Sequence, residues 1–288
     1  MNKILLQLSS DRFASVFDAI TVYDTDVDRV LQHGGVTPDD VRDMVHGAMF
    51  ARSGDDLKNT AVLIGGSDVP TCEAILQAVQ AEFFGPVRVS VMLDANGCNT
   101  TAAAIVTKIL SAGEVIGKKI VVLAGTGPVG LRTAALLAQE EAQVMLTSRC
   151  LARAEAACVS IAERFGVQVG AAEAVDVAGI RRVLEGAYAV LAAGAAGVVL
   201  LPEAVWVGHP TLRVLADVNA VPPLGIEGIE PAWDGEVRDG KVFFGAYGIG
   251  GLKMKIHRTC ITRLFERNDL VLAAEEIRAI AREGVCFE

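Results

Sequence analysis

Lys118-Lys119-Ile120-Val121-Val122-Leu123-Ala124-Gly125-Thr126-Gly127-Pro128-Val129-Gly130 decides the fold of this chain. A short apolar run, the signature of a buried strand, meets a glycine turn and then a helical pattern over 131–139 (LRTAALLAQ). The glycines fit G-x-G-x-x-G. Gly125 permits the tight turn, Gly127 lets the backbone approach a pyrophosphate, and Gly130 lets helix and strand pack closely. The N–H groups of Thr126, Gly127, Val129 and Gly130, with Pro128 opening the helix, face where phosphates bind. A strand–turn–helix setting predicts dinucleotide binding rather than a structural glycine turn.

The next strand, 142–149, names the dinucleotide. In NAD-binding units its end carries an acidic residue for the ribose 2′-OH. Here Thr147, Ser148 and Arg149 stand there. No carboxylate is in place to repel a 2′-phosphate, and the planar Arg149 cation can pair with one, assisted by Arg153. The reading favours NADP, with NAD the weaker partner; the alternative is that Arg149 is an ordinary solvated charge.

Strand and helix patterns then alternate: a helix over Leu151–Phe165, a strand over 168–171, a helix over Val177–Leu184, a strand over 187–193 ending at Ala193, and a last strand over 212–218. Before the glycine turn, 3–8, 61–64 and 87–93 read as strands. Thr37-Pro38 starts a helix reaching Phe50, and Asp68 caps one reaching Phe84. Asn99-Thr100-Thr101 opens a helix over 102–111, and helices follow over 252–265 and 270–281. Alternation of this kind implies mostly parallel sheets with right-handed crossovers. The predicted fold is α/β: a Rossmann-type doubly wound parallel sheet over 101–251, plus a smaller α/β substrate lobe over 1–100 completed by helices of 252–288. A cleft is expected between them, at the carboxyl ends of the strands.

With 288 residues there is room for two ordinary domains, and 52% hydrophobic residues with few aromatics suit strands buried under helices on both faces. The net charge of −9 argues against a nucleic-acid or anionic-membrane surface. The cysteines (72, 98, 150, 158, 260, 286) form no C-x-x-C pair, so no metal site is expected. The opening run Met1–Gln7 is too short for a signal peptide and no apolar run could span a bilayer, which makes the cytoplasm the default location.

Four further segments could do chemistry. Asp217-Val218-Asn219-Ala220-Val221-Pro222-Pro223 follows a strand, and its prolines stiffen a loop that holds Asp217 and Asn219 in place. Gly245-Ala246-Tyr247-Gly248-Ile249-Gly250-Gly251 is a second glycine cluster, open to a flat ligand, ahead of Lys253 and Lys255. Those lysines point to different helix faces, so at most one lies in a site. Ser15 and Asp18, like Asn99, Thr100 and Thr101, stand at helix starts. They serve either as caps or as polar ligand contacts.

At these residues the chain resembles the NAD(P)-dependent methylene-tetrahydromethanopterin dehydrogenases of methylotrophic bacteria, some of which also act on methylene-tetrahydrofolate. The likeness rests on Ser15-Val16-Phe17-Asp18, Val36-Thr37-Pro38-Asp39, Phe83-Phe84-Gly85-Pro86, Asn99 to Ala104 (NTTAAA), Leu123 to Gly130 (LAGTGPVG), Ala216 to Gly228 (ADVNAVPPLGIEG) and Gly248 to His257 (GIGGLKMKIH). It implies a two-lobed homo-oligomer, with a trimer the expected form, and a pterin held opposite the nicotinamide. Lys253 looks like the family's catalytic lysine. By the same resemblance Ser15, Asp18, Asn99, Thr100, Thr101 and Pro222 are pterin contacts. Ala193, Asn219 and Gly245 join Gly125–Gly130, Ser148, Arg149 and Arg153 around NADP. The implied reaction passes hydride from the methylene carbon to NADP+, leaving the methenyl form, and removes no proton. Two alternatives stay open: a shikimate-dehydrogenase-like enzyme acting on a hydroxy or amino acid, and a non-catalytic NADPH-binding regulator.

Overall fold

A computed structural model describes residues 1–284. Cys286 and the end of the expected 252–288 segment lie outside the described residues. In chain order the first elements are β1 (Ile4–Ser9), α1 (Val16–Tyr23), β2 (Arg29–His33), α2 (Val41–Phe50), β3 (Thr60–Gly65), α3 (Val69–Ala81), β4 (Ser90–Leu93) and α4 (Cys98–Ser111). Next come β5 (Lys119–Leu123), α5 (Pro128–Gln139), β6 (Gln143–Ser148), α6 (Leu151–Phe165), β7 (Gly170–Glu173), α7 (Val177–Leu184) and β8 (Ala189–Ala192). The chain ends with α8 (Glu203–Trp206), β9 (Val214–Asp217), β10 (Asp234–Arg238), β11 (Lys241–Phe244), α9 (Ala246–Arg263), β12 (Val271–Leu272) and α10 (Ala274–Arg282). The chain divides into two compact units: Met1–Thr100 with the chain from Met254 onward, and Thr101–Lys253. The boundaries fall inside α4 and α9.

The first unit holds a sheet of order β12-β4-β3-β1-β2, parallel throughout. Every residue of β3 and β4 is buried, which is why these strands read as unbroken apolar runs. β2 is the edge, and its sequence RVLQH is mostly exposed. Two helix starts are fixed by side chains. Ser15 Oγ accepts the Asp18 N–H at 3.1 Å, and Asp68 Oδ1 accepts the Thr71 N–H at 3.2 Å. Pro38 opens a short 3₁₀ turn, and Thr37 donates both its N–H and its hydroxyl to Asp40. These bonds hold the Asp40 carboxyl below its ordinary range.

The second unit holds a sheet of order β10-β11-β9-β8-β5-β6-β7. All its pairings are parallel except the hairpin of β10 with β11. β5 and β8 are neighbours, and the chain winds outward from them in both directions. That is the doubly wound Rossmann order, and its topological switch point lies between their carboxyl ends. On one face the buried Phe243 meets Trp206 and Trp233 edge-on, with ring centroids 5.2 and 5.4 Å apart.

Several expectations are corrected. The strand over 212–218 is not the last, because β10, β11 and β12 follow it. The glycine cluster 245–251 is not a loop: α9 begins at Ala246, so Gly248, Gly250 and Gly251 are helical despite their poor propensity. The strand expected over 87–93 starts only at Ser90, the helix expected to reach Phe84 stops at Ala81, and the strand expected over 168–171 is displaced to Gly170–Glu173.

Candidate functional site

The turn after β5 is built as its glycines require, each for a separate reason. A Cβ on Gly130 would lie 2.4 Å from Gly125 O and 2.6 Å from Gly125 Cα, so only glycine lets α5 start against the turn. A Cβ on Gly125 would lie 2.7 Å from Val122 Cγ1 and 3.0 Å from Leu146 Cγ, in the strand layer. Around Gly127 a Cβ would meet nothing within 4 Å. The open side of the turn is therefore at Gly127, the N-cap of α5, where a bulky anion can reach the N–H groups of Val129 and Gly130. Neighbouring strands hold the turn. Ala124 N–H donates to Thr147 Oγ at 3.1 Å, Gly125 N–H to Thr147 O at 3.0 Å, and Ala193 N–H to Leu123 O at 3.1 Å. Ala193 thus stands across the switch point from the turn. A dinucleotide's pyrophosphate fits this cradle; when bound, its nicotinamide supplies a hydride acceptor.

At the end of β6, Ser148 is buried and its Oγ accepts the Cys150 N–H at 3.3 Å, while Arg149 and Arg153 are exposed at the start of α6. The expectation that no carboxylate stands here is corrected. Glu173 of β7 is registered beside Ser148, and its Oε1 accepts the Leu151 N–H at 3.3 Å. It was out of view because it arrives from the next strand, 25 positions after Ser148.

The loop after β9 is held by Asp217. This buried carboxylate accepts the N–H groups of Asn219 at 2.9 Å and Ile226 at 2.8 Å. Burial pushes its pKa up, partly offset by those N–H donors. Asn219 is turned to the same loop: its Oδ1 accepts the Val221 N–H at 3.1 Å and its Nδ2 faces Pro223 O at 3.4 Å. Pro222 is exposed. Gly245 is a packing glycine, since a Cβ there would lie 2.2 Å from Glu230 O and 2.6 Å from Pro231 O. Gly250 and Gly251 have open space where a Cβ would stand. In α9, Lys253 is half-buried and Lys255 is exposed.

In the first unit, Ser15, Asp18, Asn99 and Thr100 gather at the carboxyl edge of the parallel sheet. Gln7 in β1 donates to Ser15 O at 3.1 Å, and Asp18 Oδ2 lies 3.2 Å from where a Gly65 Cβ would be. Of the two readings left open for Asn99 and Thr100, capping is excluded, because both lie inside α4. α4 begins at Cys98, and Asp94 Oδ1 accepts the N–H groups of Asn99 at 3.0 Å and Thr100 at 3.1 Å. Asp94 Oδ2 accepts the Thr100 hydroxyl at 2.6 Å and lies 3.2 Å from His257 Nδ1. Asn99 Nδ2 donates to Leu93 O at 2.6 Å. Thr101 follows at half-burial, on the second unit's side of the boundary. Neither Asp94 nor His257 was singled out by sequence reasoning. An aspartate ending a strand just before a helix was the available signal.

A Rossmann sheet with this turn at its switch point defines a dinucleotide-binding protein of two α/β units. A family model described as methylene-tetrahydromethanopterin dehydrogenase, N-terminal, matches residues 16–96. The bifunctional protein MdtA of Methylorubrum extorquens is 49% identical over 98% of this chain and 98% of its own. The NAD(P)-dependent methylenetetrahydromethanopterin dehydrogenase of the same organism is 30% identical over 92% of this chain and 93% of its own. Among solved structures, the 5-ketofructose reductase of a Gluconobacter species matches with a TM-score of 0.53 at 15% identity, covering 98% of this chain and 99% of that one, which speaks for the fold alone. The chain belongs to the methylene-tetrahydromethanopterin dehydrogenase family. The hydroxy-acid and regulator readings are not favoured by these relatives.

Proposed function

We propose that the chain oxidises methylene-tetrahydromethanopterin, and methylene-tetrahydrofolate as a second substrate, to the methenyl form with NADP+ as hydride acceptor. The observation that carries this reading is the 49% identity spread over 98% of both chains. The preference for NADP rests on Arg149 and Arg153 at the start of α6.

In this reading the residues divide the labour. The turn Gly125–Gly130 and α5 hold the pyrophosphate. Ser148, Arg149 and Arg153 take the 2′-phosphate, while Ala193 and Gly245 pack near the nicotinamide end. Ser15 and Asp18 of the first unit, and Thr101 and Pro222 of the second, are read as pterin contacts; Asn99 and Thr100, wholly buried, shape the start of α4 instead, and Asn219 keeps the 218–226 loop in shape. Hydride transfer needs donor carbon and acceptor ring held face to face, and orientation supplies most of the rate. The product carries a positive charge spread over two nitrogens, so a cation pressed against that carbon would oppose it. Lys253 is therefore read as orienting a polar edge of the pterin. The same reading includes assembly as a homo-oligomer, a trimer, which sedimentation checks.

The test mixes the protein with methylene-tetrahydromethanopterin or methylene-tetrahydrofolate and NADP+ or NAD+, following NADPH and methenyl-pterin absorbance. Formation of both products with NADP+ is the expected result. Silence with both pterins, while NADPH still binds, overturns the reading.

A further inference from the structure

Asp94 and His257 form a buried pair that the hydride-transfer reading leaves without a task. Each side chain is 1% exposed, and they meet at 3.2 Å across a sequence gap of 163 residues. A carboxylate can only accept, so His257 Nδ1 carries the proton in this pair. His257 Nε2 is also buried and has no hydrogen-bond partner among the described residues. Nearby, burial pushes the Cys260 thiol up, and the Asp94 charge adds to the effect.

Stability alone does not account for this arrangement. An imidazole whose buried nitrogen finds no partner among the described residues is a worse core residue than an apolar side chain of similar size. What the pair has is connectivity. One Asp94 carboxylate accepts the N–H groups of Asn99 and Thr100 and the Thr100 hydroxyl, which fixes the opening turn of α4. A further contact reaches α9, four residues after Lys253, on the helix face that Lys253 shares.

We propose that Asp94–His257 is a positioning clamp. It locks the buried first turn of α4, through Asn99 and Thr100, to α9, and so sets the rotation of the α9 turn that carries Lys253. His257 is a positioning residue and touches no substrate. The inference rests on the proposed function through Lys253.

The test compares His257→Leu and His257→Asn with the wild type. Asparagine can set an N–H near the place of Nδ1–H; leucine cannot. The readouts are turnover per mole of folded enzyme, the deuterium isotope effect with a dideuterated methylene bridge, the NADPH dissociation constant and the thermal midpoint. His257→Leu is expected to lower kcat by about ten- to a hundredfold, with hydride transfer newly rate-limiting and NADPH affinity unchanged, because small misplacements carry such losses. His257→Asn is expected to recover most of the rate. A merely structural role would lower the midpoint and the folded fraction while leaving kcat per folded mole and the isotope effect where they were; that outcome overturns the clamp. Equal loss in both variants overturns it as well. If His257→Leu does not fold, Asp94→Asn, which keeps one carbonyl acceptor, takes its place under the same criteria. Failure of the proposed function itself is separable, since the wild type would then turn over neither pterin.

Discussion

Gly127→Ala and Gly130→Ala place the same methyl group three residues apart in one turn and should fail in opposite ways. At Gly130 the new Cβ would lie 2.4 Å from Gly125 O and 2.6 Å from Gly125 Cα. Carbon contacts settle near 3.5 Å, so α5 and the turn must separate by roughly 1 Å. Both partners are backbone and cannot rotate away. Overpacking of this kind costs about 1–3 kcal/mol, which lowers the thermal midpoint by about 2–10 °C for a unit of this size. At Gly127 the Cβ meets nothing within 4 Å, and φ −82°, ψ 169° suits alanine. There the substitution should leave folding unharmed or improve it by about 0.5 kcal/mol through a less flexible unfolded chain. It should nonetheless block the pyrophosphate, raising the NADPH dissociation constant at least tenfold, or about 1.4 kcal/mol. The assay is NADPH fluorescence titration beside thermal denaturation for each variant. If Gly127→Ala binds NADPH within about twofold of the wild type, the open face of the turn is not the phosphate site and the reasoning is wrong.

The remaining predictions concern charge. Arg149→Ala should weaken NADPH binding by roughly tenfold, on the order of one charge-assisted hydrogen bond, and leave NADH almost unchanged; equal losses for both would remove Arg149 from the 2′-phosphate. Glu173→Gln keeps an acceptor for the Leu151 N–H but removes a negative charge, so NADPH affinity should rise, as the same titration shows. Lys253→Ala should cut kcat by a hundredfold or thereabouts, a typical loss when an orienting group goes, with the NADPH dissociation constant intact; surviving turnover would remove its role. Asp217 has a pKa raised by burial, so the folded state holds its proton more tightly than the unfolded chain does. Its contribution to stability is thus fullest below the ordinary carboxylate value of 3.8 and declines as pH rises through the folded value. Relative to Asp217→Asn, the wild type should gain urea resistance as pH falls from neutrality toward 3.8; a gain in the other direction refutes the burial argument.

The sequence was most legible where local rules and tertiary packing agree. α6 and α7 run over the very residues their periodicity marks, Leu151–Phe165 and Val177–Leu184, and the α6 helix ends at a left-handed Gly166. The glycine turn was legible because three steric demands converge on three positions. Strand β2 was not, since RVLQH is an edge strand with a polar, exposed pattern that no core periodicity reveals. The β10–β11 hairpin was marked by Asp239-Gly240, both at positive φ, but its strands have five and four residues and little apolar alternation. In α9 three glycines spoke for a loop, yet the buried Ile249, Ile256, His257, Cys260 and Ile261 anchor a helix through them. Tertiary burial overrode propensity there. Glu173 and His257 escaped for a simpler reason: each acts on residues remote in sequence, through sheet register or helix packing.

The fate of the buried acids suggests why such a chain suits hydride transfer. Asp94 follows β4 in one sheet and Asp217 ends β9 in the other, each at the carboxyl end of a parallel strand where catalytic acids and bases commonly stand. Here neither is set up to move a proton. Each accepts two backbone N–H groups from the segment that follows it, and so determines the shape of that segment. The one buried histidine is tied to the first of them. A carboxylate whose lone pairs are taken by backbone N–H groups has fewer left for a substrate proton, which sets loop-holding against proton shuttling. A reaction that moves only hydride is free of that conflict. Its strand ends can be given over to fixing where two rings lie, which is the quantity on which its rate depends.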